Sequence, residues 1–393
     1  MRLHRYFPSP HRLKSDPLCL LPHALAPTAH SLSDLGKGSL YHRHSYVVYH
    51  TLGNLSTEFE KISLRFYTYS LLTLPFLSAI IVKNGGGGGM KLSISTWYLE
   101  NRFGYRKAFA MIKDAGFDAL DYNIDDRCAT AEDFFSTKAY QMSETELCRY
   151  YTEMYEYIRS LGLYVGQTHA VFGTPGYANH PDLYLAVTRK NILQAHLLHC
   201  RHIVIHPIKT AGRIYDAEME CCRARNLEFF KNLLPDLEKY DVKIGIENMW
   251  AFDDEKKIHA SVCSRPEEII SLIKELGDKH FCSCPDLGHF ALTGNDTGDT
   301  VGGALRKLGD TVKIIHAHEV KEHQDTHTIP YTFGTMDWDD IVDALREIHY
   351  GGTLNFEIGP KYFENILDEE IPEALCRLVT IGKHMIDRFE NTK

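Results

Sequence analysis

From Met90 onward the chain alternates between two hydrophobic periods. Short apolar runs cover residues 91–97, 117–124, 164–170, 202–208, 242–248, 281–284, 312–318 and 353–358. Between them lie longer stretches whose apolar residues recur every three or four positions, which places them on one face of a helix. This predicts helices over 105–115, 143–161, 181–199, 218–240, 300–308, 338–348 and 369–389, with another beginning at Pro266. Local chemistry marks several ends. Gly116 stops the first helix, and Ser143 with Glu146 forms a capping-box pair. Pro266 is followed by Glu267 and Glu268, acids suited to the unpaired N–H groups of a first turn. Eight strand–helix units in about 300 residues predict an α/β fold, a closed parallel (β/α)8 TIM barrel. An open doubly wound sheet is the rival, but no Gly-rich phosphate turn follows an early strand.

Residues 1–89 break the pattern. They hold seven His, nine Lys/Arg and four Asp/Glu without a sustained period, and they end in Gly85 to Gly89, directly before Met90. Two origins are expected. Met90 is the translational start, with a purine-rich upstream stretch read in frame as the glycine run, or 1–89 is an irregular N-terminal extension on a flexible linker. The domain reading is therefore an extension over 1–89 and a barrel over 90–393. Within the extension, residues 66–82 are uncharged, but they are at the short limit for a membrane span and contain Pro75. They also lie too far from the N-terminus for an ordinary signal peptide, so no membrane association is expected.

Setting the extension aside changes the charge. Of 43 Lys/Arg and 52 Asp/Glu, nine and four lie in residues 1–89, which leaves 34 and 48 and a net charge of −14 in residues 90–393. So acidic a body is a poor general footprint for nucleic acid. The ten cysteines form no C-x-x-C pair, and reduced thiols in a cytoplasm are the expectation. A homo-oligomer is compatible with this composition.

The chain has 22 histidines, and their placement carries the chemistry. Parallel barrels do their chemistry at the C-terminal ends of the strands. The third predicted strand ends at His169, the fourth at His206 and the fifth at Glu247. The sixth runs out through Asp286 and His289. The seventh delivers His316 and His318, with Asp325 and His327 in its loop, and the eighth ends at Glu357. Singly, each has an ordinary structural account: a hydrogen-bonded core histidine, a barrel ion pair, a turn cap. Together they pose a problem, because buried carboxylates need compensating charge. A divalent cation supplies it and accepts mixed carboxylate and imidazole ligands. The spacing of two puts His316 and His318 on one face of their strand. His318, nearer the strand end, is the expected ligand, with His316 behind it and Glu319 pointing away.

The ordered segments IVIHP, GIEN, PDLGH, HAHEV through DTH, GTMDWDDIVDALREIHYGG and LNFEIG resemble the xylose isomerase-like TIM barrel superfamily. That superfamily includes sugar-phosphate isomerases/epimerases, ketose 3-epimerases and endonuclease IV. The resemblance covers essentially all of residues 90–393. It implies one divalent cation held by Glu247, Asp286, His318 and Glu357, with His289 contacting substrate. An Arg of the epimerase branch has no counterpart after the seventh strand; Lys321 stands in that loop as the candidate contact. The endonuclease branch adds zinc ligands that match His169, His206, Asp325 and His327, so a second site would use His206, Asp325 and His327.

The resemblance implies a metal-dependent sugar or sugar phosphate isomerase/epimerase that moves a proton through a metal-stabilised enediolate, with Mn²⁺, Mg²⁺ or Co²⁺ as the ion. Glu247 and Glu357 are the expected acid/base pair. His289, His206, His169, Lys321 and Trp250 are the expected substrate contacts, with Trp97 and Phe172 as further aromatic walls. Two alternatives stay open: a zinc phosphodiesterase of the endonuclease IV type, and a dehydratase-like relative acting on sugars or inositols. The partner in the leading reading is a small sugar or sugar phosphate, not nucleic acid.

Overall fold

A computed structural model describes residues 89–125, 127–209 and 219–391. The expectations for the N-terminal extension and its 66–82 run lie outside the described residues. Eleven strands are described: β1 (Leu92–Ser95), β2 (Ala119–Asn123), β3 (Tyr164–His169), β4 (His202–Ile205), β5 (Lys243–Glu247), β6 (Trp250–Phe252), β7 (Ile258–Ala260), β8 (Phe281–Cys284), β9 (Glu319–Lys321), β10 (Gln324–Thr328) and β11 (Leu354–Phe356). Seven of them form one parallel sheet in the order β11-β1-β2-β3-β4-β5-β8.

The eighth wall is the segment 312–317. It bridges β8 through Ser283 and Val312 and β11 through Ala317 and Phe356, all in parallel. The His316 amide donates to the Pro285 carbonyl (3.0 Å) and the Ala317 amide to Asn355 (2.8 Å), so the sheet closes on itself. The predicted strand over 312–318 is thus an extended segment held by isolated bridges and not a continuous ladder. The cause is local. The wall leans on β8 at its start and on β11 at its end, and Pro285 has no N–H to extend the β8 ladder.

Predicted helices recur as Tyr105–Ala115, Glu144–Ser160, Pro181–Leu197, Met219–Tyr240, Pro266–Leu276, Val301–Leu308, Trp338–Glu347 and Ile371–Asn391. The Ser143 hydroxyl accepts from the Glu146 amide, and Glu146 in turn accepts from the Ser143 amide. Three features differ from expectation. Trp97 opens a helix (Trp97–Phe103) and does not end a strand. A helix, Leu287–Thr297, follows β8 at once, its apolar pattern interrupted by Gly288 and Gly294. Two antiparallel hairpins, β6–β7 and β9–β10, rise from the C-terminal rim on runs too short and polar to show a strand period.

The barrel interior is layered. Val204, Cys284 and Ile314 form a small apolar plug, and a side chain at Gly245 would strike Ile314. Elsewhere the interior is polar: Asn355 donates to Asp121 (2.8 Å), Gln167 donates to Asp121 (3.3 Å), and the Ser93 hydroxyl donates to Asn355 (2.9 Å). The main apolar core lies outside the sheet, between strands and helices, and includes Phe109, Phe230, Trp338 and Phe356. Among the described residues no two cysteines form a disulfide, and no described helix is long and apolar enough to cross a membrane.

Ser143→Ala removes a reciprocal helix cap. It is expected to lower stability by about 1 kcal/mol in urea unfolding, with the slope unchanged. An unshifted midpoint would show that this cap contributes nothing.

Candidate active site and metal centre

Each strand end places its side chain where the barrel rule expects it. Glu247 is the last residue of β5, and His169 the last of β3. Asp286 follows β8 and caps the next helix, its Oδ1 accepting from the His289 amide at 2.7 Å. The neighbouring Asn248 locks this end of β8 to β5: it accepts from the Asp286 amide (2.7 Å) and donates to the Asp286 carbonyl (3.0 Å). Asn248 also offers its own carbonyl to His289 Nδ1 (2.8 Å), which fixes the imidazole. Sequence reasoning missed this pivot, although it directly follows Glu247 in GIEN.

The centre of the site is His316. Its Nδ1 lies 3.2 Å from Glu357 Oε2, 3.6 Å from Glu247 Oε2 and 3.9 Å from Asp286 Oδ2, and its Nε2 lies 3.5 Å from Asp121. The expected position behind His318 therefore puts it amid the carboxylates. His318 Nε2 sits 3.0 Å from both oxygens of Asp286, and its ring stacks on His327 at 3.9 Å. Asp325 lies between His327 (3.2 Å) and His289 (3.4 Å) and accepts from Trp250 Nε1 (3.1 Å). Glu319 turns away, as expected, and accepts from Trp338 Nε1 (2.8 Å).

Charge follows geometry. Burial opposes ionisation of Glu247, but His206 and His316 outweigh it and hold the carboxyl well below the usual range. His316 and His327 do the same for Glu357, and His327 and His289 for Asp325. Reciprocally, burial disfavours a charged His316, but Glu357 and Glu247 raise it to about 10. Asp286 and Asp325 likewise overcome burial and raise His289 to about 9. His206 departs from this pattern, because burial pushes it down.

Among the described residues there are four sets of donor atoms whose members lie within 4.8 Å of one another: His289, His318, Asp325 and His327; His169, His206 and Glu247; Glu247, Asp286 and His289; and Asp286, His318 and Glu357. Asp286 belongs to two sets and joins Glu247 to the His318–Glu357 side. The set His206, Asp325 and His327 does not form: His206 faces Glu247 at 3.1 Å across the site from the β10 pair. The donors nonetheless fit a cation. Glu247 Oε2, Asp325 Oδ1, Glu357 Oε2 and both His316 nitrogens are buried without a hydrogen bond, an arrangement that a positive ion would complete.

Above these groups opens a cavity of about 760 Å³. His169, His206, Glu247, His289, Asp325 and Glu357 reach its wall, as do Trp97, Phe172 and Trp250. Asp286, His316 and His318 lie buried beneath it. Lys321 does not line it. The β9–β10 hairpin turns that side chain outward, with its ammonium 5.5 Å from the Phe333 ring, so the expected substrate contact there is not made. Three cations absent from the sequence reading, Arg127, Lys209 and Lys361, do line the cavity.

This fold and site define a class. Residues 109–375 match the family described as xylose isomerase-like TIM barrel, and the chain belongs to it. Among curated proteins, it is 24% identical over 322 residues to the D-psicose 3-epimerase of Enterocloster bolteae, a match covering 74% of this chain and 96% of that one. It is 26% identical over 157 residues to an uncharacterized protein of Methanocaldococcus jannaschii, covering 39% of this chain and only half the length of that relative. A solved D-tagatose 3-epimerase-like protein superposes with a TM-score of 0.54 at 20% identity, covering 76% of this chain and all of the other.

Two outcomes are expected. A side chain at Gly288 would overlap the His318 ring. Gly288→Ala should therefore cost about 1–3 kcal/mol in denaturant unfolding and weaken divalent-ion binding by calorimetry; unchanged binding would place His318 outside the donor set. His289 and His316 are raised from 6.5 to about 9 and 10 on folding. Their stabilising contribution is complete below about pH 6.5 and is lost as pH rises through 9 to 10. Melting of chelator-treated protein should fall over that window, and a flat profile would contradict the charged imidazoles.

Proposed function

We propose that this barrel is a divalent-metal-dependent sugar isomerase/epimerase that removes a carbon-bound proton and returns one. The observation that carries the reading is the pair Glu247 and Glu357. Both are ionised by neighbouring imidazoles, both line the cavity, and they flank His316 Nδ1 at 3.6 and 3.2 Å. The near-full-length likeness to a D-psicose 3-epimerase supports it.

Glu247, Asp286, His318 and Glu357 would hold the cation. Bound there, Mn²⁺, Mg²⁺ or Co²⁺ supplies positive charge beside the substrate oxygens and lowers the cost of the negative charge left when the proton departs. The chain's own groups do the rest. One glutamate oxygen takes the proton from carbon, whose bonding electrons pass into the adjacent carbonyl. On the opposite face a proton passes from water to carbon through the other glutamate as the carbonyl reforms, and the proton first taken is released to solvent. Epimerisation inverts that carbon with no net change in bonding. His289, held by the Asn248 carbonyl, donates from Nε2 to a substrate oxygen; His169 and His206 orient hydroxyls from the opposite wall. Trp250 closes the side of the cavity, pinned by Asp325.

One observation favours a second reading. Donor sets stand on both sides of Glu247 and Asp286, as a polynuclear zinc phosphodiesterase would need. The net charge of −14 over residues 90–393 weighs against a nucleic-acid substrate.

Metal-loaded protein incubated with a panel of ketoses in D₂O should place deuterium on carbon. Glu247→Gln and Glu357→Gln should each slow that exchange by about 10²- to 10⁴-fold. Exchange at the parent rate in either variant would remove that glutamate from proton transfer, and phosphodiester cleavage without any exchange would establish the second reading.

A further inference from the structure

We infer that the substrate of this cavity carries an anionic substituent, a phosphate monoester or a carboxylate, received by Arg127, Lys209 and Lys361. The inference rests on the isomerase/epimerase reading and names its substrate class.

The three cations come from three separate loops at the C-terminal rim. Arg127 follows β2 and bridges Phe172, Lys209 follows β4, and Lys361 lies in the short helix Pro360–Phe363 after β11. All three line the cavity that Glu247 and Glu357 also line. None has a carboxylate within 4.0 Å among the described residues. Arg102 pairs with Asp368, Arg306 with Asp340 and Glu347, and Lys307 with Glu267 and Asp299.

Lys209 is the most telling of the three. Its partly buried ammonium donates to the Trp250 carbonyl at 3.0 Å and rests 5.5 Å from the Trp250 ring. An ammonium has three donors, and only one is used by a described residue. Burial and the neighbouring Arg127 both disfavour its charge, while Glu247 and Asp325 favour it. A solvated surface lysine would not be kept in such a place. A neutral sugar would need only hydroxyl-sized donors and acceptors there. An oxyanion uses the unspent donors and relieves the repulsion between Lys209 and Arg127, and a guanidinium adds a planar fork matched to phosphate or carboxylate. Arg127 also borders an adjoining cavity of about 380 Å³, which leaves room for a group extending beyond the reacting carbons.

The test uses the full chain loaded with Mn²⁺. Affinities for D-fructose, D-fructose 6-phosphate and D-fructuronate are measured by calorimetry, and carbon–deuterium exchange is followed for each. Two variants accompany the parent: Arg127→Gln/Lys361→Gln, which alters exposed side chains, and Lys209→Met. At least one anionic ligand should bind tenfold or more tightly than D-fructose, and each variant should reduce that preference at least tenfold. Preference for the phosphate or for the carboxylate identifies the group. Equal binding of charged and neutral ligands, no binding of either anion, or a preference unchanged in both variants overturns the inference. Exchange on D-fructose as efficient as on the anions overturns it and leaves the epimerase reading standing. An anion preference that depends on these cations, without exchange on any ligand, upholds the anion site and defeats the epimerase reading.

Discussion

Four carboxylates, Glu247, Asp286, Asp325 and Glu357, are gathered within one end of a barrel, and Asp121 lies just below. Removing so many negative charges from water is prohibitive unless positive charge accompanies them. The chain answers with imidazoles. His316 stands among Glu247, Asp286 and Glu357, His318 against Asp286, and His289 and His327 on either side of Asp325. Much else follows from holding this cluster in register. Asn248 ties β5 to β8, Gly288 leaves room for the His318 ring, and the two rim hairpins carry Trp250, Asp325 and His327 to its edge.

Imidazole is well suited to this task because its charge is conditional. With a cation present, the same rings become neutral nitrogen ligands or hydrogen-bond donors to substrate. On the proposed function the cluster would serve two states with one set of side chains, and the buried carboxylate oxygens without a hydrogen bond are where a cation would bind. The site is also graded by depth. Asp286, His316 and His318 lie below the cavity floor, while Glu247, His289 and Glu357 reach it, so on the proposed function the former would anchor charge and the latter would meet substrate.

The barrel was legible in the sequence because its signal is periodic, and the helix from Tyr105 to Ala115 and the cap at Ser143 fall where the pattern puts them. The strand-end carboxylates and imidazoles were legible for a related reason, since a parallel barrel aims every strand end at one rim. What escaped depends on neighbours distant in sequence. The Leu287–Thr297 helix is interrupted by glycines, of which Gly288 makes room for the His318 ring, and the wall at 312–317 loses its ladder at Pro285, just past the end of β8. Lys321 looked like a substrate contact by position, but a bulged hairpin turns it outward. Arg127 and Lys209 carry no motif at all; only the cavity gathers them.

On the proposed function this cluster holds one divalent cation through Glu247, Asp286, His318 and Glu357. Anomalous diffraction from crystals grown with Mn²⁺ tests it most directly. One manganese peak per chain, bonded to those four side chains, is the predicted result. No peak at the cluster, or several peaks that draw in His169, His206, Asp325 and His327 as ligands, would contradict it.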